Sequence, residues 1–243
     1  FHAIDVCQYI TTEILSTKVE EKFTKLELLA LFTAAIMHDA DHKGYTNAYN
    51  VTAETPLGIL FKNQSVMETH HCTVAISVLT KEECNILYAL DNRQSVFVWT
   101  KIINFIQQTD MSKHFSTIEK TTQLLDSGNF TLDDPACREE TLTMFLKLAD
   151  ISNVSRPFEI ADKWCDILME EFFRQGDREK ELGLEFTSAN NDRTQSDKPK
   201  SQVGFYNFIC LPLYKLAARM FPALEKNLNS VKSNLDVWLS MLH

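Results

Sequence analysis

The stretch TKLELLALFTAAIMHD, residues 24–39, decides how this chain is read. Thr24 is followed three residues later by Glu27, the spacing at which a hydroxyl and a carboxylate cap the free amides of a helix start. Leu28, Leu29, Leu31, Phe32 and Ile36 then recur at three- and four-residue steps, which makes one wide apolar face. The segment is therefore a buried helix that delivers His38 and Asp39 at its C-terminal end.

The same periodicity continues on both sides. Upstream, Ile4, Val6, Cys7, Tyr9, Ile10, Ile14 and Leu15 place a helix over residues 3–15, with His2 at its start. Downstream, residues 41–56 hold Gly44, Asn47, Asn50 and Pro56 and read as a long structured loop. Helical patterns resume over 66–79, 81–90, 96–108 and 112–125, and Ser127-Gly128 marks a stop. Asp134-Pro135 is an N-cap followed by proline in the first turn, opening a helix that runs to Asp150. Arg156-Pro157 breaks the pattern, and a further helix over 158–175 is expected to end at Gly176. Residues 187–200 are polar and read as a flexible loop, before two last helices over 201–220 and 221–242. The expected fold class is all-α, a compact multi-helix domain.

Composition agrees. The chain has 243 residues, 44% hydrophobic and 23% charged, the balance of a folded globular protein. Six glycines and six prolines are too few to punctuate the many strands of a sandwich or barrel. Residues 1–243 are expected to form one catalytic domain, truncated on its N-terminal side because helical sequence starts at once. Six isolated cysteines without a CxxC pair read as reduced thiols. No stretch resembles a signal peptide or a membrane span, so a cytoplasmic location is expected, or a cytoplasmic domain of a membrane-tethered parent. The net charge of −9 argues against a nucleic-acid platform. An anionic substrate would need a local cation, and a metal ion is the obvious source.

His38-Asp39-Ala40-Asp41-His42 packs two imidazoles and two carboxylates into little more than one helical turn. One histidine on an apolar helix is ordinarily a satisfied core residue. Four such groups at the end of an apolar run are costly to desolvate unless a cation compensates them. Neighbouring helical residues point about 100° apart, so His38 and Asp39 serve one ion only at the end of the helix. Further ligands must come from elsewhere, and His2 and Asp150, each at the end of a helix, are the candidates. A mixed nitrogen and oxygen set suits zinc, iron or manganese rather than a thiolate finger. A carboxylate such as Asp39 can also bridge to a second, harder ion. Of His42, Glu68, His70 and His71, one or two are expected to hold water or orient ligands.

The strings FHAIDVCQ, HDADHKGYTN, SVMETHH, TDMSKH, LKLADISN, EEFFRQGDRE and SQVGF stand in the order and spacing of a known family. From Phe1 to at least Tyr214 the chain resembles the class I 3′,5′-cyclic-nucleotide phosphodiesterases of the HD superfamily. The resemblance implies an all-helical catalytic domain with a binuclear centre, zinc at the tighter site and magnesium at the second, with manganese as its alternative. It implies hydrolysis of cAMP and cGMP to nucleoside 5′-monophosphates by a hydroxide bridging the metals. His2, His38, Asp39 and Asp150 match the metal ligands, with Asp39 similar to the bridging carboxylate. Asp150 is also expected to accept a hydrogen bond from the hydroxide. His42 and Glu68 resemble groups around the second metal and its waters. Gln202 is similar to the glutamine that pairs with the purine edge, Phe205 to the aromatic stacked on it, and Leu168 to the residue closing the opposite face. Asn153 resembles its counterpart in cAMP-accepting members, whereas Cys210-Leu211-Pro212-Leu213-Tyr214 looks more like cGMP-hydrolysing ones, so dual use is the expectation.

One departure stands out. The family's first motif is HNxxH, in which the first histidine protonates the leaving oxygen; His2 matches the last, so the acid would lie before Phe1. Two other readings remain open at this point: an HD-type phosphohydrolase of a different reaction class, and a non-catalytic module with the same fold. The expected partner is the cyclic nucleotide, with no nucleic acid and no membrane contact within this segment. Regulatory domains elsewhere in the parent chain are expected, and a homodimer is left open.

Overall fold

The capping box at Thr24 forms as its spacing predicts: the Thr24 hydroxyl accepts from the Glu27 amide at 3.1 Å, and the Glu27 carboxylate accepts from the Thr24 amide at 2.8 Å. The computed structural model describes residues 1–62 and 64–242, and among them there is no strand. The α-helices in chain order are α1 (His2–Thr17), α2 (Lys25–Met37), α3 (Asn47–Thr52), α4 (Pro56–Leu60), α5 (Val66–Leu79) and α6 (Asn92–Gln108). They continue with α7 (His114–Asp126), α8 (Pro135–Asp150), α9 (Phe158–Glu181), α10 (Lys198–Phe205), α11 (Leu211–Met220) and α12 (Glu225–Ser240). Contacts group the chain into two compact units, residues 1–41, 68–152 and 216–224 in the first, residues 42–67, 153–215 and 225–243 in the second.

In the first unit α2 packs on α6, and α1 packs on both α2 and α8. Helix α8 is buried without interruption from Glu140 to Ala149, so this stretch has no solvent face and forms the centre of this unit. Its Phe145 meets Phe23 edge-on, with ring centroids 6.5 Å apart, and Phe221 at 5.6 Å. Each such side chain, fully buried, contributes about 1.5–3 kcal/mol. The charged residues of α8 are partnered: Glu140 accepts from the Thr121 hydroxyl at 2.5 Å and from Lys120 at 2.6 Å, and Lys147 donates to the Gln108 carbonyl at 3.1 Å.

The second unit is built on α9, α10 and α12, with α10 against α12. Phe158 packs edge-on against Trp238 at 4.9 Å. The buried Asn234 amide donates to the carbonyls of Val154 (2.9 Å) and Arg156 (2.8 Å), and the Tyr206 hydroxyl donates to the same Val154 carbonyl at 3.3 Å. Three segments distant in sequence are thus joined by hydrogen bonds that would be costly to leave unmade.

Several element boundaries differ from the expectation, each for a local reason. The loop expected over 41–56 contains α3 and the start of α4, begun by Thr46 accepting from the Tyr49 amide and Thr55 accepting from the Gly58 amide. Residues 81–90 are not a helix: only a 3-10 turn forms at Glu82–Cys84, after which the Asn85 side chain accepts from the Leu87 amide and ends helical bonding. Helix α6 starts at Asn92, because Asp91 and Gln94 form a second capping box. The helix expected over 112–125 is a 3-10 turn at Met111–Lys113 followed by α7. The polar stretch at 187–200 contains a 3-10 turn with a buried Asn191, and α10 begins inside it at Lys198, capped by Asp197. The helix expected over 201–220 is divided by a π-helical turn at Tyr206–Cys210, and that expected over 221–242 opens with a 3-10 turn before α12.

Gly176 does not end α9, which runs on to Glu181; its missing side chain instead admits the backbone of Asn191. All six cysteines are free thiols, and no helix of the described residues is long and apolar enough to cross a membrane.

Candidate functional site

Three helix ends in the first unit deliver the polar cluster. His2 is the first residue of α1, His38 caps the C-terminus of α2, and Asp150 is the last residue of α8. A carboxylate at a helix C-terminus faces the negative end of the helix dipole, so Asp150 needs a compensating positive partner. Its Oδ1 lies 3.0 Å from His2 Nε2 and 3.2 Å from His38 Nε2, and the two Nε2 atoms are themselves 3.2 Å apart. Asp39 Oδ2 stands further off, 3.6 Å from His2 Nε2 and 3.7 Å from His38 Nε2.

The imidazoles are held for this arrangement. His38 is fully buried, and its Nδ1 lies 2.9 Å from the Ala35 carbonyl. A carbonyl only accepts, so Nδ1 carries a proton, and Nε2 is the nitrogen that faces Asp150. This backbone anchor is the kind that orients metal-bound histidines. His71 is set in the same way, Nδ1 to the Ala40 carbonyl at 2.7 Å, with Nε2 3.9 Å from Asp39 Oδ1. His70 pairs with Asp41 at 2.9 Å.

Electrostatics bind the cluster tightly. Burial alone would lower the His38 pKa, but the Asp150 carboxylate beside it, helped by Asp39, pushes it up to about 9. Burial would raise Asp150, yet the charge of His38 and hydrogen bonds from both imidazoles hold it well below the usual carboxylate range. His2, His38 and Asp150 each offer one donor atom, all within 4.8 Å of one another. Two nitrogens and an oxygen converging on one point, with a second carboxylate beside them, fit a divalent cation of the zinc or manganese type.

The other expected residues are distributed over both units. Glu68 lies in the first turn of α5 in the first unit. His42 belongs to the second, where its Nδ1 accepts from the Gly44 amide at 3.0 Å; it lines a cavity of about 650 Å³ with Tyr45, Ile167, Glu171 and Arg174. Gln202 and Phe205 lie three residues apart on α10 and so share a face, both half-buried. Leu168 is on α9 and 40% exposed, and Asn153 sits in the 3-10 turn Ser152–Ser155.

Sequence reading passed over Lys147. It is buried one turn before Asp150, and desolvation lowers its pKa although Asp150 and Asp110 oppose this. A charged residue inside the apolar run LKLA was the available signal.

Known proteins resemble this chain in sequence and fold. Residues 1–231 match the family model described as 3′5′-cyclic nucleotide phosphodiesterase. The chain is 33% identical over 231 residues to the high affinity cGMP-specific 3′,5′-cyclic phosphodiesterase 9A of Mus musculus, covering 93% of this chain and 42% of that protein. It is 36% identical to the probable 3′,5′-cyclic-AMP phosphodiesterase pde-4 of Caenorhabditis elegans, covering 99% of this chain and 37% of that protein. The chain thus spans about two fifths of the length of these curated relatives. Among solved structures, the phosphodiesterase domain of the Salpingoeca rosetta rhodopsin phosphodiesterase superposes with a TM-score of 0.92 at 31% identity, covering 99% of this chain and 73% of that one. LmjPDEB1 in complex with IBMX superposes with a TM-score of 0.93 at 32% identity, with the same coverage of 99% and 73%.

Proposed function

The chain belongs to the 3′5′-cyclic nucleotide phosphodiesterase family, and from that premise we propose that it hydrolyses cAMP and cGMP to nucleoside 5′-monophosphates. The observation that carries the proposal is the convergence of His2, His38 and Asp150 from three helix ends. The relatives support both nucleotides, one being named for cGMP and another for cyclic AMP.

His2 and His38 would hold the tighter ion through Nε2, with Asp150 and Asp39 completing the set through carboxylate oxygens and Asp39 reaching a second ion. Zinc at the first position and magnesium or manganese at the second would offset the phosphate charge and acidify a water. That help is needed, because a chain of net charge −9 repels an anionic substrate. In the net reaction water adds to phosphorus, the bond to the 3′ oxygen breaks, and one water proton ends on that oxygen. Asp150, which a cation held by the two imidazoles would itself keep ionised, is suited to accept a hydrogen bond from the attacking water and so to orient it. His42 and Glu68 are assigned to holding further waters in place. The Ala35 carbonyl keeps His38 in a single ring orientation, which limits reorganisation during turnover.

For the base, Gln202 would pair with the purine edge and Phe205 would stack on it, with Leu168 closing the other face and Asn153 contributing a polar contact. A side-chain amide presents donor and acceptor together, and turned either way it matches adenine or guanine. The test is release of AMP and GMP from the two cyclic nucleotides, with metal content measured on the same sample. Turnover of both within about a hundredfold is expected, since one hydrogen bond on a flexible amide discriminates weakly. A preference of several hundredfold for one nucleotide would defeat the dual reading, and no turnover of either by metal-loaded protein would defeat the proposal. Gln202→Ala is expected to raise KM about tenfold for both nucleotides, the loss of roughly one hydrogen bond, with kcat much less affected.

A further inference from the structure

Helix α10, which carries Gln202 and Phe205, is fastened at its first residue. The Lys198 ammonium reaches two carboxylates of α9, Asp162 Oδ1 at 2.5 Å and Asp166 Oδ1, and it lies 5.5 Å from the centroid of the Trp238 ring on α12. Asp162, Asp166 and Glu170 are spaced by four residues and form one acidic stripe along α9. Arg193, in the segment between α9 and α10, grips the next part of that helix. It forms a fork on Asp177, with contacts of 3.1 Å and 2.5 Å, reaches Glu170 at 3.5 Å, and lies 5.2 Å over the Phe173 ring.

The two cations differ in strength. Arg193 and its carboxylates are 40–51% exposed, and pairs of that kind contribute little once salt screens them. Lys198 is 26% exposed and its carboxylates 38% and 62%, so its advantage is that one cation is shared by two carboxylates of α9 and has an aromatic face of α12 beside it. Position matters as well: Lys198, Gln202 and Phe205 fall at i, i+4 and i+7 and lie on one face of α10. The face fastened to α9 is therefore the face that presents the base-reading side chains. Asp197 caps this first turn, accepting from the Lys200 amide at 3.0 Å, so the anchor acts on a defined helix start.

We propose that Lys198, held by Asp162 and Asp166, is a positioning residue that fixes α10 against α9 and thereby sets the placement of Gln202 and Phe205 for the nucleotide base. The assignment rests on the phosphodiesterase reading above for what α10 binds, but not for the fastening itself. Lys198→Met removes the charge and keeps the stem on Trp238; Lys198→Arg restores a cation; Asp162→Asn with Asp166→Asn removes the partners instead.

The experiment measures KM and kcat for both cyclic nucleotides alongside hydrogen–deuterium exchange over residues 199–205. In Lys198→Met and in the double Asn variant, KM is expected to rise about fivefold with kcat changed less than about twofold, since base placement is loosened and the metal chemistry is not. Exchange over 199–205 should quicken while α8 is unaltered. Lys198→Arg should recover most of the lost affinity, and combining Lys198→Met with the double Asn change should add nothing further, the mark of one shared interaction. Unchanged exchange would overturn the fastening. Faster exchange with unchanged KM, or a fall in kcat matching the rise in KM, would overturn the positioning role. If the wild-type protein hydrolyses no cyclic nucleotide, the phosphodiesterase reading fails, and the exchange comparison still decides whether Lys198 holds α10.

Discussion

Asp150→Ala is expected to lower kcat for cyclic-nucleotide hydrolysis by about three orders of magnitude, because metal-centred charge stabilisation supplies several kcal/mol to such a transition state. The size follows from how much converges on this one side chain. Its Oδ1 contacts the Nε2 atoms of both His2 and His38, so truncation opens the donor set at its centre rather than at its rim. His38 is fully buried and would be left facing the other imidazole without the carboxylate that balances it. Metal content should fall together with turnover. Asp150→Asn separates shape from charge: it keeps the volume and one oxygen, so it should remain folded while still losing most of its bound metal and activity. Elemental analysis and single-substrate kinetics on both variants check this. Full metal occupancy with normal turnover in Asp150→Ala would remove Asp150 from the centre altogether.

How much of this was legible beforehand depended on whether the relevant information was local. The cap at Thr24 and the arrival of His38 and Asp39 at a helix end could be read from a few consecutive residues, because capping and periodicity act over one or two turns. His2 and Asp150 were only candidates on physical grounds and were selected by the family motif. Their approach to His38 closes sequence separations of 36 and 112 residues, which no periodicity reveals. The Lys198 anchor was hidden for the same reason, as its partners lie 36 and 32 residues away on another helix. Misplaced boundaries had a different origin. The caps at Thr46 and Thr55 are ordinary polar residues in a stretch that Gly44, Asn47, Asn50 and Pro56 mark as a loop, and the cap at Asp91 precedes a polar first turn at residues 92–95, which apolar periodicity does not register. The π-helical turn at Tyr206–Cys210 leaves an apolar pattern uninterrupted and has no local signature.

Gly176 shows the ambiguity most sharply, and the sign of a substitution there tests whether the backbone of Asn191 rests on it. If Gly176 were only a weak point inside a helix, alanine would stabilise the protein by up to about 1 kcal/mol through propensity and reduced freedom of the unfolded chain. The structure predicts the opposite. A Cβ at this position would lie 2.0 Å from the Asn191 carbonyl oxygen and 2.8 Å from its carbonyl carbon, both backbone atoms that no rotamer change can remove. Displacing Asn191 would also disturb what its side chain holds. Its amide donates to Glu179 Oε2 at 3.1 Å and to the Thr187 hydroxyl at 3.2 Å. Glu179 is fully buried and accepts in addition from Thr187 Oγ1 at 2.6 Å and Gln175 Nε2 at 2.9 Å. Gln175 in turn accepts from the Thr46 amide at 2.8 Å, so the network extends to the start of α3. Overpacking costs about 1–3 kcal/mol, and weakening one buried hydrogen-bonded group costs about 1–3 kcal/mol more. Against the favourable propensity of roughly 1 kcal/mol, Gly176→Ala is left destabilising by about 1–5 kcal/mol, which in a chain of this size lowers Tm by a few degrees to about 20 °C. Denaturant and thermal unfolding of the variant measure it directly. A Tm at or above the wild-type value would mean that the backbone of residues 187–191 does not rest on Gly176, and the close packing of that segment on α9 would have to be abandoned.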